Sequence, residues 1–138
     1  MGPARPEAGT FYPDCALAPI RVLVCDDVAA FRALMRYTLQ EDPEIEVVGE
    51  AADGMAAIAE AERLQPDVVL LDLTMPILDG IDAIPSLLLR APGTRVVALS
   101  GWGADRMGEA AREQGAVAYL EKSDDVQAIR AAVRAAAA

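Results

Sequence analysis

The chain has 138 residues, of which 54% are hydrophobic, and 22 acidic against 12 basic residues give it a net charge of -10. This length is that of one domain, which buries roughly two-thirds of its unfolded surface without disulfides or structural metals, and the hydrophobic content excludes a disordered chain. The acidic balance argues against direct nucleic-acid binding, and the lack of histidine removes the commonest general base and metal ligand.

Targeting and redox signals are few. No apolar run approaches the roughly 18 residues of a membrane-spanning helix, and the N-terminus lacks the basic start and apolar segment of a signal peptide. Cys15 lies in an irregular stretch and Cys25 in a predicted buried strand, which disfavours a disulfide and fits a reducing compartment. We therefore expect a cytoplasmic protein without membrane contact.

The N-terminal part differs in composition from the rest of the chain. Residues 1–19 contain four prolines and no hydrophobic period, so we expect a flexible leader followed by one domain over residues 20–138. Residues 20–25 form an apolar β run that ends in Asp26 and Asp27. The hydrophobic residues that follow at helical spacing are Phe31, Leu34, Met35 and Leu39.

A second strand and helix follow. Residues 44–50 alternate at first and carry charge, which is typical of an edge strand. Asp53 is predicted to cap a helix from Gly54 to Leu64. The residues at the turn spacing of this helix are Met55, Ile58, Ala59 and Glu62.

The middle of the chain contains the strand around which the fold is organised. Residues 68–71 are four branched apolar residues, followed by Asp72 and, after a short segment, by Pro76. This pattern is typical of a strand buried on both faces, and proline prevents its continuation as a helix. Open α/β sheets bind ligands at the carboxyl ends of their strands, so Asp72 is a candidate functional residue. Taken alone, it is equally consistent with a helix cap.

A third helix is expected from the turn at residues 78–80 to about Arg90. Pro85 fits this helix only if its cap is as late as Asp82, which would put the proline in the first turn, where no N–H is needed. The next apolar run, residues 95–100, is the fourth predicted strand.

The C-terminal third continues the alternation. A loop around Trp102 leads into a polar, weakly anchored helix over residues 104–114, which Gly115 ends. Residues 116–122 are the predicted fifth strand. Asp124 or Asp125 opens an alanine-rich last helix that reaches the C-terminus.

This alternation predicts a three-layer, doubly wound α/β fold with a five-stranded parallel sheet in the flavodoxin-like order 2-1-3-4-5. Strands 1, 3, 4 and 5 are then neighbours. The residues at their carboxyl ends are Asp26, Asp27, Asp72, Ser100 and Lys122. Three carboxylates within about 4 Å would repel by about 4 kcal/mol per pair at an effective dielectric of 20. The cluster therefore requires a cation or a proton, and Mg²⁺ suits a site of oxygen ligands without histidine.

With these residues at its strand ends, the chain resembles the receiver domains of two-component response regulators from Ile20 to about Ala137. The segments that carry the resemblance are Val24-Cys25-Asp26-Asp27, Leu71-Asp72-Leu73-Thr74-Met75-Pro76 with Asp79-Gly80, Leu99-Ser100-Gly101, and Tyr119-Leu120-Glu121-Lys122. Each segment is a weak signal by itself, but all of them in this order at strand ends are specific.

The resemblance implies how the acidic residues act. Asp72 would be the carboxylate that a partner histidine kinase or phosphotransfer protein phosphorylates. Asp27 and Asp72, with the backbone carbonyl of Thr74, would bind Mg²⁺, and Asp26 would support the ion partly through water. Beyond self-phosphorylation from a donor and slow self-dephosphorylation, the resemblance predicts no enzyme activity.

The resemblance also implies a switch. Ser100 and Lys122 would contact the phosphoryl group carried by Asp72. Tyr119 would change rotamer when Ser100 moves. The face formed by the fourth helix, fifth strand and fifth helix would then signal to an output protein or an appended effector domain, with a phosphorylation-dependent homodimer through this face as a further candidate. Residues 47–51 look most like receivers attached to helix-turn-helix output domains or their single-domain relatives.

The chain departs from the family pattern at two positions. Family members often have proline after the lysine, whereas Ser123 follows Lys122 here. A cis bond before serine would cost about 3–4 kcal/mol, so we expect trans. Trp102 is unusually large for its place, two residues after Ser100. It either shields the acyl phosphate from water and lengthens its lifetime, or packs on the fourth helix.

Two other functions fit the fold class. A phosphatase of the haloacid dehalogenase type also uses Mg²⁺ and a strand-end aspartate, but it needs a second carboxylate where this chain has Thr74. A flavin-binding module would need a phosphate-binding loop after the first strand, where Asp26 and Asp27 would repel phosphate instead.

Overall fold

The computed structural model describes residues 18–75, 78–101 and 105–138. Strands and helices alternate along them. They are β1 Ile20–Cys25, α1 Ala29–Gln40, β2 Ile45–Ala51, α2 Gly54–Leu64, β3 Val68–Asp72, α3 Gly80–Arg90, β4 Arg95–Ser100, α4 Asp105–Gln114, β5 Ala118–Glu121 and α5 Val126–Ala137. The strands pair in parallel in the order β2-β1-β3-β4-β5, which confirms the predicted fold.

Several predictions concern residues outside these ranges. Almost the whole of the predicted leader, residues 1–19, lies there, as do Cys15, Pro76 and Trp102. The division into a leader and a domain therefore stays a prediction.

The sheet has a hydrophobic core on each face. Alternate residues of β1, β3 and β4 point to opposite sides, as the strand period of two requires. One core contains residues of α1 and α5, and the other contains residues of α2, α3 and α4. All five residues of β3 are buried, because this strand lies in the middle of the sheet with helices on both sides. The carboxyl end of β3 therefore projects from the buried centre of the sheet.

The helix faces differ in part from the predicted ones. Met35 and Leu39 of α1 are buried, but Leu34 is 47% exposed. In α2 the side chain of Met55 is 58% exposed. The buried residues of α2 are Gly54, Ala57, Ile58 and Ala61. Three of these four residues are small, and hydrophobic character alone did not identify this buried face.

The start of α3 corrects a second prediction. The helix begins at Gly80, and its cap is Asp79, whose Oδ1 accepts a hydrogen bond from the Asp82 amide at 3.0 Å. Pro85 is thus inside the helix and not in its first turn, so the late cap at Asp82 is wrong. The helix starts early because Gly80 packs directly on the end of β3, where a Cβ would lie 2.2 Å from the carbonyl oxygen of Asp72.

The C-terminal elements follow the prediction with small shifts. Gly115 ends α4 with a positive φ of 124°, which glycine adopts readily. Strand β5 is shorter than the predicted residues 116–122. The side chain of Asp125 caps α5, and the peptide bond between Lys122 and Ser123 is trans, as expected. Over the described ranges, no helix is both long and apolar enough to cross a membrane.

Candidate functional site

Three carboxylates meet where β1 and β3 end. Asp26, Asp27 and Asp72 each offer an oxygen, and these oxygens lie within 4.8 Å of one another. They converge because β1 and β3 are paired in parallel with Cys25 opposite Leu71, so both strands end at the same edge. Asp26 and Asp72 are 1% exposed, whereas Asp27 is exposed. The cluster therefore has a buried base and an open side.

Lys122 reaches this cluster from the end of β5. Its Nζ lies 2.5 Å from Oδ2 of Asp26 and 3.2 Å from Oδ2 of Asp72. The Lys122 amide donates to the Ser100 carbonyl at 2.8 Å, which holds the residue beside the end of β4. The ring of Phe31 lies 4.7 Å from the ammonium. One ammonium thus faces three carboxylates, and the charge of the cluster is incompletely balanced.

The pKa shifts reflect this imbalance. Burial raises the pKa of Asp26, and the Asp72 carboxylate adds to this effect, although Lys122 and the Val28 amide act against it. Burial by itself would lower the pKa of Lys122, but its contacts with Asp26 and Asp72 outweigh burial and raise it. Both pKa values are raised because two buried carboxylates share one ammonium: Lys122 has two partners, whereas Asp26 has only part of one. Lys122 stays positively charged, and the charge on Asp26 is energetically unfavourable.

The side chain of Thr74 contacts the carboxylate of Asp72. The backbone amide and the side-chain Oγ1 of Thr74 donate to Oδ1 of Asp72 at 3.0 and 3.1 Å, while Lys122 Nζ contacts Oδ2. Both oxygens of the Asp72 carboxylate therefore have hydrogen-bond partners, which fix the orientation of this group. Sequence analysis assigned a role only to the Thr74 carbonyl. The signal for the side-chain contact was a hydroxyl two residues after an aspartate, a common local arrangement.

The predicted switch residues lie beside α4. Ser100 is buried at the end of β4, and its Oγ is 3.8 Å from Sδ of Met107. Tyr119 is partly buried, and its ring packs against Gly108, where a Cβ would lie 2.8 Å from Tyr119 Cδ2. Met107 and Gly108 were not singled out from the sequence. Trp102, the predicted lifetime modulator, is outside the described residues.

Arg32 and Glu50 form a second contact that sequence analysis missed. The Arg32 Nη1 donates to the backbone carbonyl of Asp26 at 2.7 Å, and its Nε donates to Glu50 at 2.9 Å. Glu50 also pairs with Arg36 at 2.8 Å. The charge on β2 suggested an edge strand, but nothing local indicated its partner on α1.

The donor set fits a hard divalent cation. The three carboxylates supply oxygen ligands, and their charge exceeds that of Lys122. The neighbouring Cys25 thiol belongs to the hydrophobic core, and burial raises its pKa, so it does not compete as a thiolate ligand. Oxygen ligands of this kind suit Mg²⁺.

Comparison with known proteins identifies relatives of this chain. Residues 22–134 match the family model of the response regulator receiver domain. A protein-glutamate methylesterase/protein-glutamine glutaminase from Rhodospirillum centenum is 40% identical over 117 residues, which are 83% of this chain and 29% of that protein. One from Carboxydothermus hydrogenoformans is 40% identical over 116 residues, or 83% of this chain and 32% of that protein. The chain thus spans about a third of the length of these relatives.

Solved structures agree with the sequence comparison. The signal receiver domain of the response regulator NarL from Mycobacterium tuberculosis superposes with a TM-score of 0.83 and 34% identity, over 88% of this chain and 98% of that chain. The response regulator domain of Thermotoga maritima CheB gives a TM-score of 0.78 and 33% identity, over 86% of this chain and 96% of that chain.

These relatives correct one prediction. We expected no enzyme activity beyond the phosphoryl chemistry of the chain itself, and this was wrong, because relatives about 40% identical are named as methylesterases and glutaminases. The motifs at the strand ends describe a receiver unit and carry no information about the rest of such a protein. The names of these relatives describe an enzyme, whereas residues 47–51 suggested a helix-turn-helix output domain.

The family match covers most of the chain, and the fold and the acidic strand ends agree with it. The NarL and CheB receiver structures superpose on 88% and 86% of the chain. The chain therefore belongs to the response regulator receiver domain family.

Proposed function

We propose that this chain accepts a phosphoryl group on Asp72 from a histidine kinase or phosphotransfer protein in the presence of Mg²⁺. Phosphorylation of an aspartate is general in this family. The observation that carries the assignment is the position of Asp72, which is buried at the end of the central strand, belongs to the three-carboxylate cluster and lies 3.2 Å from Lys122.

The residues of the cluster divide the chemistry between them. A carboxylate oxygen of Asp72 attacks phosphorus, the bond between phosphorus and the donor breaks, and the donor group leaves with the electron pair. Asp26, Asp27 and Asp72, with the carbonyl of Thr74, would hold Mg²⁺, which supplies the positive charge that lets an anionic phosphoryl group approach. Lys122 stays charged and pairs with a phosphoryl oxygen.

The acceptor is tested by intact mass after incubation with acetyl phosphate and Mg²⁺. Wild type should gain the mass of one phosphoryl group, and EDTA should prevent the gain. Asp72→Ala should gain nothing, whereas Asp82→Ala, which removes an exposed acid of α3, should behave as wild type. Modification of Asp72→Ala would refute the choice of acceptor. A wild type that no donor modifies would contradict the function.

The switch is the second part of the proposal. A phosphoryl group adds a charge of about -1.5 to -2 and new acceptor oxygens, which attract the Ser100 hydroxyl. Movement of Ser100 away from Met107 would open space next to the β5 face, and Tyr119 would leave its place on Gly108 to fill it. The face formed by α4, β5 and α5 would then change its affinity for an output protein, an effector domain or a second copy of the chain.

Fluorine NMR of protein labelled with fluorotyrosine tests this coupling. Beryllofluoride with Mg²⁺ mimics the phosphoryl group and should shift the Tyr119 resonance, assigned with Tyr119→Phe. The Tyr37 resonance is the internal control, because this side chain is exposed on α1. An unchanged Tyr119 resonance under conditions that saturate the mimic would refute the coupling and leave the phosphoacceptor role standing.

The relatives also suggest an effector. We propose that phosphorylation of this receiver controls a protein-glutamate methylesterase of the kind named among them. Methanol release from a methylated substrate protein, measured on the natural protein that contains this chain, should rise on phosphorylation and stay at its resting rate with Asp72→Ala. Equal rates would contradict this effector.

A cytoplasmic location is a further proposal, which fractionation of cells would test.

A further inference from the structure

Arg32 connects the loop after β1 with the edge strand of the sheet. Its Nη1 donates to the carbonyl oxygen of Asp26 at 2.7 Å, and its Nε donates to Oε1 of Glu50 at 2.9 Å. The Arg32 side chain is 19% exposed, so these contacts are largely shielded from water. A charged donor makes such hydrogen bonds stronger than neutral ones.

The carbonyl that Arg32 contacts belongs to the peptide unit between Asp26 and Asp27. That unit is planar, so fixing its oxygen fixes the direction in which the chain enters Asp27. The rest of Asp26 is also held, since its amide donates to the Ala51 carbonyl at 2.9 Å and its Oδ1 accepts from the Val28 amide at 2.8 Å. Asp27 is the exposed member of the cluster. Its orientation therefore depends on the peptide unit that Arg32 anchors.

The charge of Arg32 does not by itself favour a cation nearby. Glu50 pairs with two arginines and balances only one of them, so the charge of Arg32 opposes cation binding and its support of the site comes through geometry. Arg36 provides an internal comparison, because it pairs with the other oxygen of Glu50 at 2.8 Å and its second hydrogen bond goes to the carbonyl of Val47 at 3.4 Å. The two arginines thus share one carboxylate. Of their hydrogen bonds in the described part of the chain, only one from Arg32 reaches the loop that carries Asp26 and Asp27.

We infer that Arg32 is a positioning residue for the divalent-metal site. Anchored by Glu50, it orients the peptide unit between Asp26 and Asp27 and thereby raises the affinity of the carboxylate cluster for Mg²⁺. The inference rests on the proposed function, in which this cluster binds Mg²⁺. It adds α1 and β2 as supports of a site whose ligands come from β1 and β3.

The test compares Arg32→Gln with Arg36→Gln. Mg²⁺ dissociation constants are measured by isothermal titration calorimetry at fixed ionic strength, and the free energy of unfolding is measured by urea denaturation in EDTA. Residues that orient metal ligands typically change affinity about 10- to 100-fold when removed. We expect Arg32→Gln to weaken Mg²⁺ binding about tenfold and Arg36→Gln to bind as wild type, although both lose the same charge and the same partner.

Each result separates the inference from the function. Wild type that fails to bind Mg²⁺ contradicts both. If wild type and Arg32→Gln bind Mg²⁺ equally well, the inference is overturned and the function stands. The same holds if Arg32→Gln lowers the free energy of unfolding but leaves the Mg²⁺ affinity unchanged. Equal weakening in both variants would indicate an effect through the shared Glu50 and not through the Asp26 carbonyl, and it overturns the inference too. If Arg32→Gln does not fold, Glu50→Gln keeps both arginines, loosens the anchor and should weaken Mg²⁺ binding in the same direction; an unchanged affinity refutes the inference.

Discussion

Replacing Asp27 by asparagine removes one charge of the three-carboxylate cluster without breaking the ion pairs of Lys122 with Asp26 and Asp72. At 4.8 Å, the upper limit of the separation between the carboxylate oxygens, two like charges repel by about 3.5 kcal/mol at an effective dielectric of 20 and by about 0.9 kcal/mol in water. Asp27 is exposed, so the lower value applies. Its attraction to Lys122 cancels about one of its two repulsions. Asp27→Asn should therefore stabilise the metal-free protein by about 1 kcal/mol.

The assay is urea denaturation at neutral pH in EDTA and low salt. Glu46→Gln is the matched control, because it changes the net charge equally at an exposed position on β2. The gain from Asp27→Asn should shrink in 1 M salt, where the Debye length falls to about 3 Å. In Mg²⁺ the order should reverse. Wild type gains about 2.7 kcal/mol at a hundred times its dissociation constant, and the variant gains much less.

If Asp27→Asn is no more stable than Glu46→Gln in EDTA, repulsion by Asp27 does not destabilise the metal-free protein. That result would mean that water or protonation already relieves the repulsion. A full Mg²⁺-dependent gain in the variant would show that Asp27 is not a ligand.

Two further predictions concern the stability of the fold. Gly80→Ala should lower the free energy of unfolding by about 3 kcal/mol, because its Cβ would lie 2.2 Å from the Asp72 carbonyl oxygen. Gly93→Ala is the control, because no atom lies within 4 Å of its Cβ, and it should change the free energy of unfolding by less than about 1 kcal/mol. Equal effects of the two substitutions in urea denaturation would refute this prediction. The Arg134 guanidinium lowers the pKa of Asp42 below its usual 3.8, so this pair stabilises the fold above about pH 3.8 and less as the pH falls through the lower folded value. The destabilisation by Arg134→Met, measured at a series of pH values, should therefore shrink below that range, and a constant difference would contradict it.

Local sequence signals predicted most element bounds. The ends of β1, α2 and β4 match because each is marked within a few residues, by an apolar run or by a cap such as Asp53, whose side chain accepts from the Ala56 amide at 2.8 Å. The start of α3 was missed because its position depends on contact with the end of β3. A signal within the helix, Pro85, pointed to a later start.

The sequence by itself determined the order of strands and helices and the candidate site residues at the strand ends, because apolar runs and the polar residues that follow them are neighbours in the chain. The tertiary structure alone decided that Lys122 lies closer to Asp26 than to Asp72, and that Arg32 is held between Glu50 and the acidic loop. These contacts join residues far apart in the chain. Their geometry follows from strand register and helix packing, and no local period encodes it.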